Sequence, residues 1–294
     1  MPGISLRDRL GNGTPLLLDG PTGTELARRG ISTDTPEWSA AALTSAPEVV
    51  EQIHQDYIAA GAELITANTF RTHARSLGRR GKQGEARELT KLAVMLAQAA
   101  AGETAWVAGS MAPLEDCYRP DLTPSPDELE LEHRIMAEYL MEAGVDLILA
   151  ETHPTIRESV AAAKAARTVG LPVIVSWVCG RDGRLLSGET LTDAAAAVLP
   201  LGPIALSVNC LPAQTAQNAA HELVKAAGSV PVGVYANIGW AESDGHWVQG
   251  TGAAPADYAE LASGWLDRRV RIIGGCCGTT PDHLLALRQM LDRD

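Results

Sequence analysis

The sequence predicts a closed (β/α)8 barrel, an α/β fold in which eight parallel strands alternate with helices. Short apolar runs, several of them rich in Val and Ile, alternate with longer alanine-rich helical patterns from one end of the chain to the other. That alternation is typical of βα units around a parallel sheet. The chain has 294 residues, and eight units in about 250–300 residues fit a closed barrel better than an open sheet. No linker or shift in composition divides it, so we expect one domain over residues 1–294.

Eight apolar runs are predicted to be strands. They are Leu16–Asp19, Leu64–Asn68, Trp106–Ser110, Leu147–Glu151, Val173–Trp177, Ile204–Cys210, Val232–Asn237 and Arg271–Gly275. Polar residues or cysteines collect at their carboxyl ends, namely Asp19, Asn68, Ser110, Glu151, Ser176, Asn209, Cys210, Asn237, Cys276 and Cys277. Because catalytic groups in such barrels come from this end, we expect these side chains to surround one mouth.

The helical segments between the strands carry start signals. Thr22 to Glu25 and Ser125 to Glu128 have the spacing of capping boxes. Prolines stand where a first helical residue is expected, at Pro47, Pro126 and Pro281. These signals make the number of βα units more certain than the element boundaries.

Composition excludes several classes of partner. With 36 acidic and 24 basic residues the net charge is −12, and no Lys/Arg run offers a surface for nucleic acid. The apolar runs are too short and too broken by Gly and Pro to span a bilayer. Residues 1–5 lack the basic and apolar segments of a secretion signal, so we expect a cytoplasmic protein that acts on small molecules.

The segment from Gly274 to Gly278 places two adjacent cysteines, Cys276 and Cys277, among three glycines. Neighbouring side chains of a strand point to opposite faces, so both sulfurs can reach one metal only if the backbone leaves strand geometry. The glycines permit that bend. The candidate third thiol is Cys210, and three thiolates would leave the fourth position of a tetrahedral zinc for a substrate.

The alternatives are a structural zinc or cysteines that are only buried, since free Cys is among the most buried residue types. A structural site, however, normally shows four ligands in paired spacing. The two other cysteines, Cys117 and Cys179, are expected to be dispensable for metal binding.

Five segments spread over nearly the whole chain carry a family resemblance. They are Leu18–Leu26, Ile65–Phe70, Glu151-Thr152, Val208–Cys210 and Gly274–Gly278. In these segments the chain resembles the homocysteine S-methyltransferases, zinc-dependent thiol methyltransferases that include betaine–homocysteine methyltransferase and the homocysteine module of methionine synthase. The resemblance implies that Cys210, Cys276 and Cys277 bind Zn²⁺ and that the homocysteine sulfur completes the tetrahedron.

The resemblance also implies that Asp19 and Glu151 hold the amino group of homocysteine, a role that suits an acidic pair facing an ammonium. The alternative is that Asp19 caps its turn and Glu151 pairs with an arginine. Gly20 and Thr22 belong to a loop whose backbone N–H groups could hold the substrate carboxylate. The remaining substrate-binding candidates are Asn68, Ser176 and Asn209.

The methyl donor is assigned to a separate set of residues. Trp38 matches a position where some family members place an aromatic ring against the donor, and a tryptophan face attracts a sulfonium or quaternary ammonium. Its alternative role is an apolar lid over the mouth. The other donor-binding candidates are Trp177, Tyr118 and Asn237.

The predicted reaction moves a methyl group from a small sulfonium donor to the thiol of homocysteine, giving methionine. A sulfonium is the simplest donor because no segment for cobalamin or folate accompanies the barrel. Two alternatives stay open. The acceptor could be another small thiol or selenol, or the chain could be a non-catalytic zinc-binding barrel within a larger methyl-transfer assembly.

Overall fold

The computed structural model describes residues 4–35, 37–241, 247–249, 253–266 and 269–293. Its strands are β1 (Leu16–Leu17), β2 (Leu64–Ala67), β3 (Trp106–Met111), β4 (Leu147–His153), β5 (Val173–Trp177), β6 (Ala205–Pro212), β7 (Val232–Asn237), β8 (Gly239–Ala241), β9 (Trp247–Gln249) and β10 (Val270–Gly275). All except β8 and β9 form one parallel sheet in which β10 lies between β7 and β1. A parallel bridge between Leu18 and Leu64 closes the ring, which confirms the predicted (β/α)8 barrel.

The helices surround this barrel. They are α1 (Leu6–Gly11), α2 (Thr22–Arg28), α3 (Ala42–Ser45), α4 (Pro47–Ala59), α5 (Ala74–Gly78), α6 (Ala86–Ala101), α7 (Pro126–Ala143), α8 (Ile156–Thr168), α9 (Leu191–Val198), α10 (Ala213–Ala226), α11 (Pro255–Ser263) and α12 (Pro281–Leu291). Three of them begin at the expected prolines. In the part of the chain that the structure describes, none is both long and apolar enough to cross a membrane.

One of the two predicted capping boxes is present. Ser125 and Glu128 form a box at the start of α7, as predicted. The box from Thr22 to Glu25 is wrong, because Thr22 is already the first helical residue and Pro21 before it has no capping side chain. The Glu25 carboxylate instead accepts hydrogen bonds from Arg28, at 2.8 and 2.7 Å.

The buried apolar residues form two layers that follow the alternation of the strands. Leu16 and Leu18 belong to a cluster inside the barrel, whereas Leu17 packs between the barrel and the helices. Leu6 and Leu10 of α1 join the inner cluster. Helix α1, which the sequence analysis missed, therefore closes the end of the barrel at which the strands begin and leaves the other end open.

Candidate active site

A cavity of about 480 Å³ lies at the carboxyl ends of the strands. The predicted site residues that line it are Asp19, Gly20, Thr22, Trp38, Asn68, Tyr118, Glu151, Cys210, Cys276 and Cys277. Further lining residues that were not assigned to the site include Thr66, Phe70, Arg71, Ser110 and Tyr235. The volume falls in the range of small-ligand sites, roughly 300–1,000 Å³.

The sulfur atoms of Cys210, Cys276 and Cys277 all lie within 4.8 Å of one another. Sγ of Cys210 is 3.9 Å from Sγ of Cys277. A tetrahedral zinc with Zn–S bonds of about 2.3 Å places its sulfur ligands roughly 3.8 Å apart. The three thiols therefore fit a single metal ion, and three ligands leave one tetrahedral position for a further donor atom.

The backbone leaves strand geometry at the paired cysteines, as expected. Strand β10 ends at Gly275, and the following turn is closed by a 3.0 Å hydrogen bond from the Thr279 N–H to the Cys276 carbonyl. The glycines are required by close approach: a Cβ on Gly274 would stand 2.7 Å from the Leu18 carbonyl oxygen, and one on Gly275 would stand 2.1 Å from Thr279 Oγ1.

Backbone strain is concentrated at the same cavity. Among the described non-glycine residues, positive φ occurs at Trp38 (48°), Thr152 (63°) and Cys210 (57°), and all three line the cavity. Thr152 and Cys210 also lie where β4 and β6 shift register against their neighbours. Such conformations cost about 1–3 kcal/mol each and cluster at functional sites. The shifts re-aim side chains at the ends of the two strands.

The Cys210 sulfur has several hydrogen-bonding partners. Hydrogen bonds with Cys276 and Cys277 hold the pKa of Cys210 well below its ordinary value. The Tyr118 hydroxyl lies 3.0 Å from Cys210 Sγ, and Asn237 Nδ2 lies 3.9 Å from it. These contacts favour the thiolate form of Cys210, which is the form that binds a metal.

The two remaining cysteines lie outside the three-thiol group. Cys117 lines the cavity, but burial raises the pKa of its thiol. Cys179 is buried in the core, where burial raises its pKa to about 12. Neither environment favours a thiolate.

The acidic pair is buried and has no cationic partner. Asp19 accepts hydrogen bonds from the N–H and hydroxyl of Thr66 at 2.7 and 3.0 Å. Glu151 accepts from the Ser110 hydroxyl at 2.5 Å and from the Tyr235 hydroxyl at 3.4 Å. No basic side chain of the described residues faces either carboxylate. The alternative in which Glu151 pairs with an arginine therefore has no support in the structure.

Burial dominates the electrostatics of this pair. It raises the pKa of Asp19 well above its ordinary value, against the opposing hydrogen bonds from Thr66. It raises the pKa of Glu151 to about 7. A ligand cation placed between the two carboxylates would favour their charged forms.

Three predicted substrate residues hold the walls of the cavity. The Asn68 side chain accepts from the Ser39 hydroxyl at 2.7 Å and donates to the Ser39 carbonyl at 2.9 Å, which fixes the segment that carries Trp38. The buried Asn209 accepts from the Ser176 hydroxyl at 2.7 Å and from the Thr152 N–H at 3.1 Å. These bonds stabilise the strained backbone beside Glu151.

Some predicted residues do not line the cavity, namely Ser176, Asn209, Trp177 and Asn237. Trp177 was a donor-binding candidate, but its side chain is fully buried in the core between barrel and helices. Asn237 does not line the cavity, but its Nδ2 atom lies 3.9 Å from the Sγ atom of Cys210. A shift of one residue along a strand moves a side chain from the mouth to the core, and no local pattern of residues indicates where such a shift occurs.

Two aromatic rings, those of Trp38 and Phe70, form part of the cavity wall. The rings of Trp38 and Phe70 meet edge to face with centroids 5.7 Å apart. The Trp38 ring covers Gly23 at the start of α2, where an added Cβ would stand 2.2 Å from Trp38 Cζ2. Phe70 is the single phenylalanine of the chain, and the sequence analysis did not assign it a role.

Comparison with known proteins identifies the family. The profile of the homocysteine S-methyltransferase family matches residues 16–291. Homocysteine S-methyltransferase YbgG of Bacillus subtilis is 33% identical over 92% of each chain. A selenocysteine Se-methyltransferase of Brassica oleracea is 26% identical over 94% of this chain and 88% of the relative. The metallated homocysteine methyltransferase MmuM from Escherichia coli aligns with a TM-score of 0.84 and 29% identity, over 97% of this chain and 99% of that one. The chain belongs to the homocysteine S-methyltransferase family.

Proposed function

We propose that residues 1–294 form one barrel domain that transfers a methyl group from a small onium donor to the thiol of homocysteine, giving methionine, with Zn²⁺ as the metal. The observation that carries this proposal is the presence, in one cavity, of three convergent thiols and a buried acidic pair without a cation. A thiol-bearing amino acid has the two groups that complement them.

Cys210, Cys276 and Cys277 would hold the metal. A zinc ion at three thiolates supplies a Lewis acid that lowers the pKa of a substrate thiol enough to deprotonate it near neutral pH. The chain contributes the fixed positions of the sulfurs, through the bend at Gly275 and the strained backbone of Cys210.

Asp19 and Glu151 bind and orient the amino end of homocysteine. Each carboxylate keeps its position through hydrogen bonds from its neighbours, so its free lone pairs accept from the substrate ammonium. Gly20 and Thr22, which line the same cavity at the start of α2, offer backbone N–H groups to the substrate carboxylate. Together these contacts aim the substrate sulfur at the thiol group.

Trp38 and Tyr118 border the space left for the donor. The Trp38 ring attracts the cationic centre of an onium, and the Tyr118 hydroxyl sits beside Cys210. An in-line arrangement of donor carbon and acceptor sulfur between them would hold the reacting atoms near contact.

The test is incubation of purified, zinc-loaded protein with homocysteine and a panel of sulfonium, quaternary ammonium and methylfolate donors, read by mass spectrometry. Formation of methionine with a sulfonium and no other protein present is the expected result. Absence of product with every donor would reject the proposal and favour the non-catalytic alternative.

A second candidate acceptor is a selenol. The relative from Brassica oleracea is a selenocysteine Se-methyltransferase that aligns over 94% of this chain. Competition between homocysteine and selenocysteine in one reaction separates the two acceptors, and a kcat/KM ratio above one for homocysteine supports the main proposal.

A further inference from the structure

Arg71 is a charged residue of the cavity that the proposed chemistry leaves unused. It follows Phe70 in the loop after β2 and lines the cavity. Its Nη1 donates to the carbonyl oxygens of Pro113 at 3.3 Å and Glu115 at 3.1 Å. Its Cζ atom lies 4.9 Å above the centre of the Phe70 ring. All of these partners are uncharged groups.

The neighbouring arginines, unlike Arg71, have negatively charged partners. Arg75 forms an ion pair with Glu132 at 2.5 Å, and Arg79 forms one with Glu115 at 2.5 Å. Within the described residues Arg71 has no ion pair, and its Nε and Nη2 make no hydrogen bond. Arg71 therefore lines the cavity without an ion pair of its own, although the nearby carboxylates of Asp116 and Glu115 favour its charged form.

The Arg71 guanidinium is partly buried where it lines the cavity. Desolvation lowers the pKa of Arg71, yet an arginine in a protein stays protonated. A partly desolvated charge of this kind is stabilised by an ion pair with good geometry. A guanidinium fork matches a carboxylate with two parallel hydrogen bonds, and the two unused nitrogens, Nε and Nη2, are the pair that presents such a fork.

The acidic pair is not the partner of Arg71. The ionisable groups that act most on the guanidinium are Cys117, Arg79, Asp116 and Glu115, and the two carboxylates among them favour its charged form. Asp19 accepts from Thr66, and Glu151 accepts from Ser110 and Tyr235. No hydrogen bond or ion pair among the described residues joins Arg71 to either carboxylate of the acidic pair.

We propose that Arg71 binds a carboxylate of the methyl donor, so that the enzyme selects onium donors that carry a carboxylate. This inference rests on the proposed function and narrows its donor class. An onium without a carboxylate would bring a further positive charge next to a guanidinium that has no ion pair, whereas the carboxylate of a donor would neutralise the guanidinium while the onium of the same molecule lies against the Trp38 ring.

The charge changes during methyl transfer predict which kinetic constant depends on Arg71. In the transfer, the acceptor thiolate forms a bond to the methyl carbon as the methyl–sulfonium bond breaks, and the bonding pair stays on the donor sulfur. A thiolate and a sulfonium become two neutral thioethers, while the donor carboxylate keeps its charge. The Arg71 contact is therefore equal in ground and transition states, and its loss should raise the donor KM without lowering kcat.

The alternative is a purely structural role, called the clip role below, in which Arg71 only holds the loop through its hydrogen bonds to the carbonyl oxygens of Pro113 and Glu115. Two donors with the same sulfonium separate the roles: S-methylmethionine and its decarboxylated analogue, (3-aminopropyl)dimethylsulfonium. Donor dissociation constants are measured by calorimetry on zinc-loaded protein without homocysteine, and KM and kcat in its presence. The variants are Arg71→Gln and Arg71→Lys, with Arg79→Gln as the matched control because Arg79 already has a carboxylate partner.

The unmodified protein should bind S-methylmethionine at least about tenfold more tightly than the analogue. Arg71→Gln should abolish that preference by weakening S-methylmethionine alone, Arg71→Lys should keep part of it, and Arg79→Gln should keep all of it. Equal affinity for both donors in the unmodified protein overturns the inference, whatever the variants do. Equal losses on both donors in Arg71→Gln assign the clip role, and a loss on homocysteine instead assigns Arg71 to the acceptor. Binding is read without turnover, so this result is independent of whether any donor yields methionine.

Discussion

The two ends of the barrel are built differently. At the end where the strands begin, Leu6 and Leu10 of α1 pack into the inner cluster, and Arg9 pairs with Glu63 at 2.7 Å. At the end where the strands finish, the structure holds strained residues such as Thr152 and Cys210, together with carboxylates that have no cationic partner.

This difference indicates that the two ends of the barrel serve different purposes, one the stability of the fold and the other binding and turnover. Satisfied apolar packing stabilises one end, while the other keeps conformations and charges that a free chain would avoid and that a bound zwitterion would complement. Substitutions at the closed end should therefore change the free energy of unfolding, and substitutions at the open end should change binding and turnover.

The largest expected effect is loss of the metal site. Cys276→Ser should reduce zinc content, measured by atomic emission, and should reduce turnover by at least about a hundredfold, because a metal contributes several kcal/mol to such a reaction. The matched control is Cys179→Ser, a buried cysteine outside the cavity. Full zinc and full turnover in Cys276→Ser would show that the site is assigned wrongly.

At the closed end, Leu10→Ala should lower the free energy of unfolding by about 2–5 kcal/mol, the usual cost of truncating a fully buried leucine. Leu10 is only 2% exposed. Zinc content and kcat/KM of the folded protein at 25 °C should stay unchanged. Denaturant unfolding measures the first quantity, and a fall in kcat/KM for protein that remains folded would show that the two ends are coupled.

Glu151→Gln should weaken homocysteine binding by about 1.5–3 kcal/mol, the worth of a hydrogen bond to a charged group, and should leave zinc in place. Equal weakening of 4-mercaptobutyrate, which lacks the amino group, would exclude a role at the ammonium. Calorimetry with the two ligands measures the difference.

The raised pKa of Glu151 predicts that the affinity for homocysteine depends on pH. Burial raises the pKa of Glu151 to about 7, so its charged form is lost as pH falls through 7. Between pH 8 and 6 the affinity for homocysteine should fall about tenfold more than that for 4-mercaptobutyrate. The ratio should be flat in Glu151→Gln, and a pH-dependent ratio in that variant would assign the titration to another group.

The barrel was predictable because the alternation of apolar runs and helical patterns is set by local geometry. The three-thiol site was predictable because glycines next to Cys276 and Cys277 permit the chain to bend there. In the structure a Cβ on Gly274 or Gly275 would also meet neighbouring atoms too closely. Whether the side chains of Trp177 and Asn209 point into the cavity was not predictable from the sequence. Each lies at the end of a strand, but the register shifts in β4 and β6 decide which side chains reach the mouth, and a shift of that kind has no local sequence signal.

Arg71 was missed for a different reason. Its proposed role depends on its lack of an ion pair, whereas Arg75 and Arg79, a few residues further along the chain, each have one, and pairing between distant segments is a tertiary property. Helix α1 was missed although Ser5 caps it by accepting from the Asp8 N–H at 3.1 Å. So short a helix also needs its burial against the inner cluster to be stable, and that burial is a tertiary property.

The smallest expected effect concerns Trp38 and distinguishes a cation-binding ring from an apolar lid. Trp38→Leu should weaken binding of a sulfonium donor by about 0.5–2 kcal/mol, because an aliphatic side chain has no ring to attract the cation. Trp38→Phe should retain most of the affinity. Both replacements inherit the same backbone conformation, with φ at 48°, so any strain is common to the pair.

The decisive quantity is the donor dissociation constant of both variants beside that of the unmodified protein, with homocysteine affinity as the internal control. The Trp38 ring also covers Gly23 and meets Phe70, so a loss of packing would weaken homocysteine and donor together. A loss confined to the donor in Trp38→Leu places the onium against the ring. Equal donor affinity in all three proteins would leave Trp38 as a lid and transfer the cation-binding role to Phe70 or Tyr118, two further aromatic side chains that line the cavity.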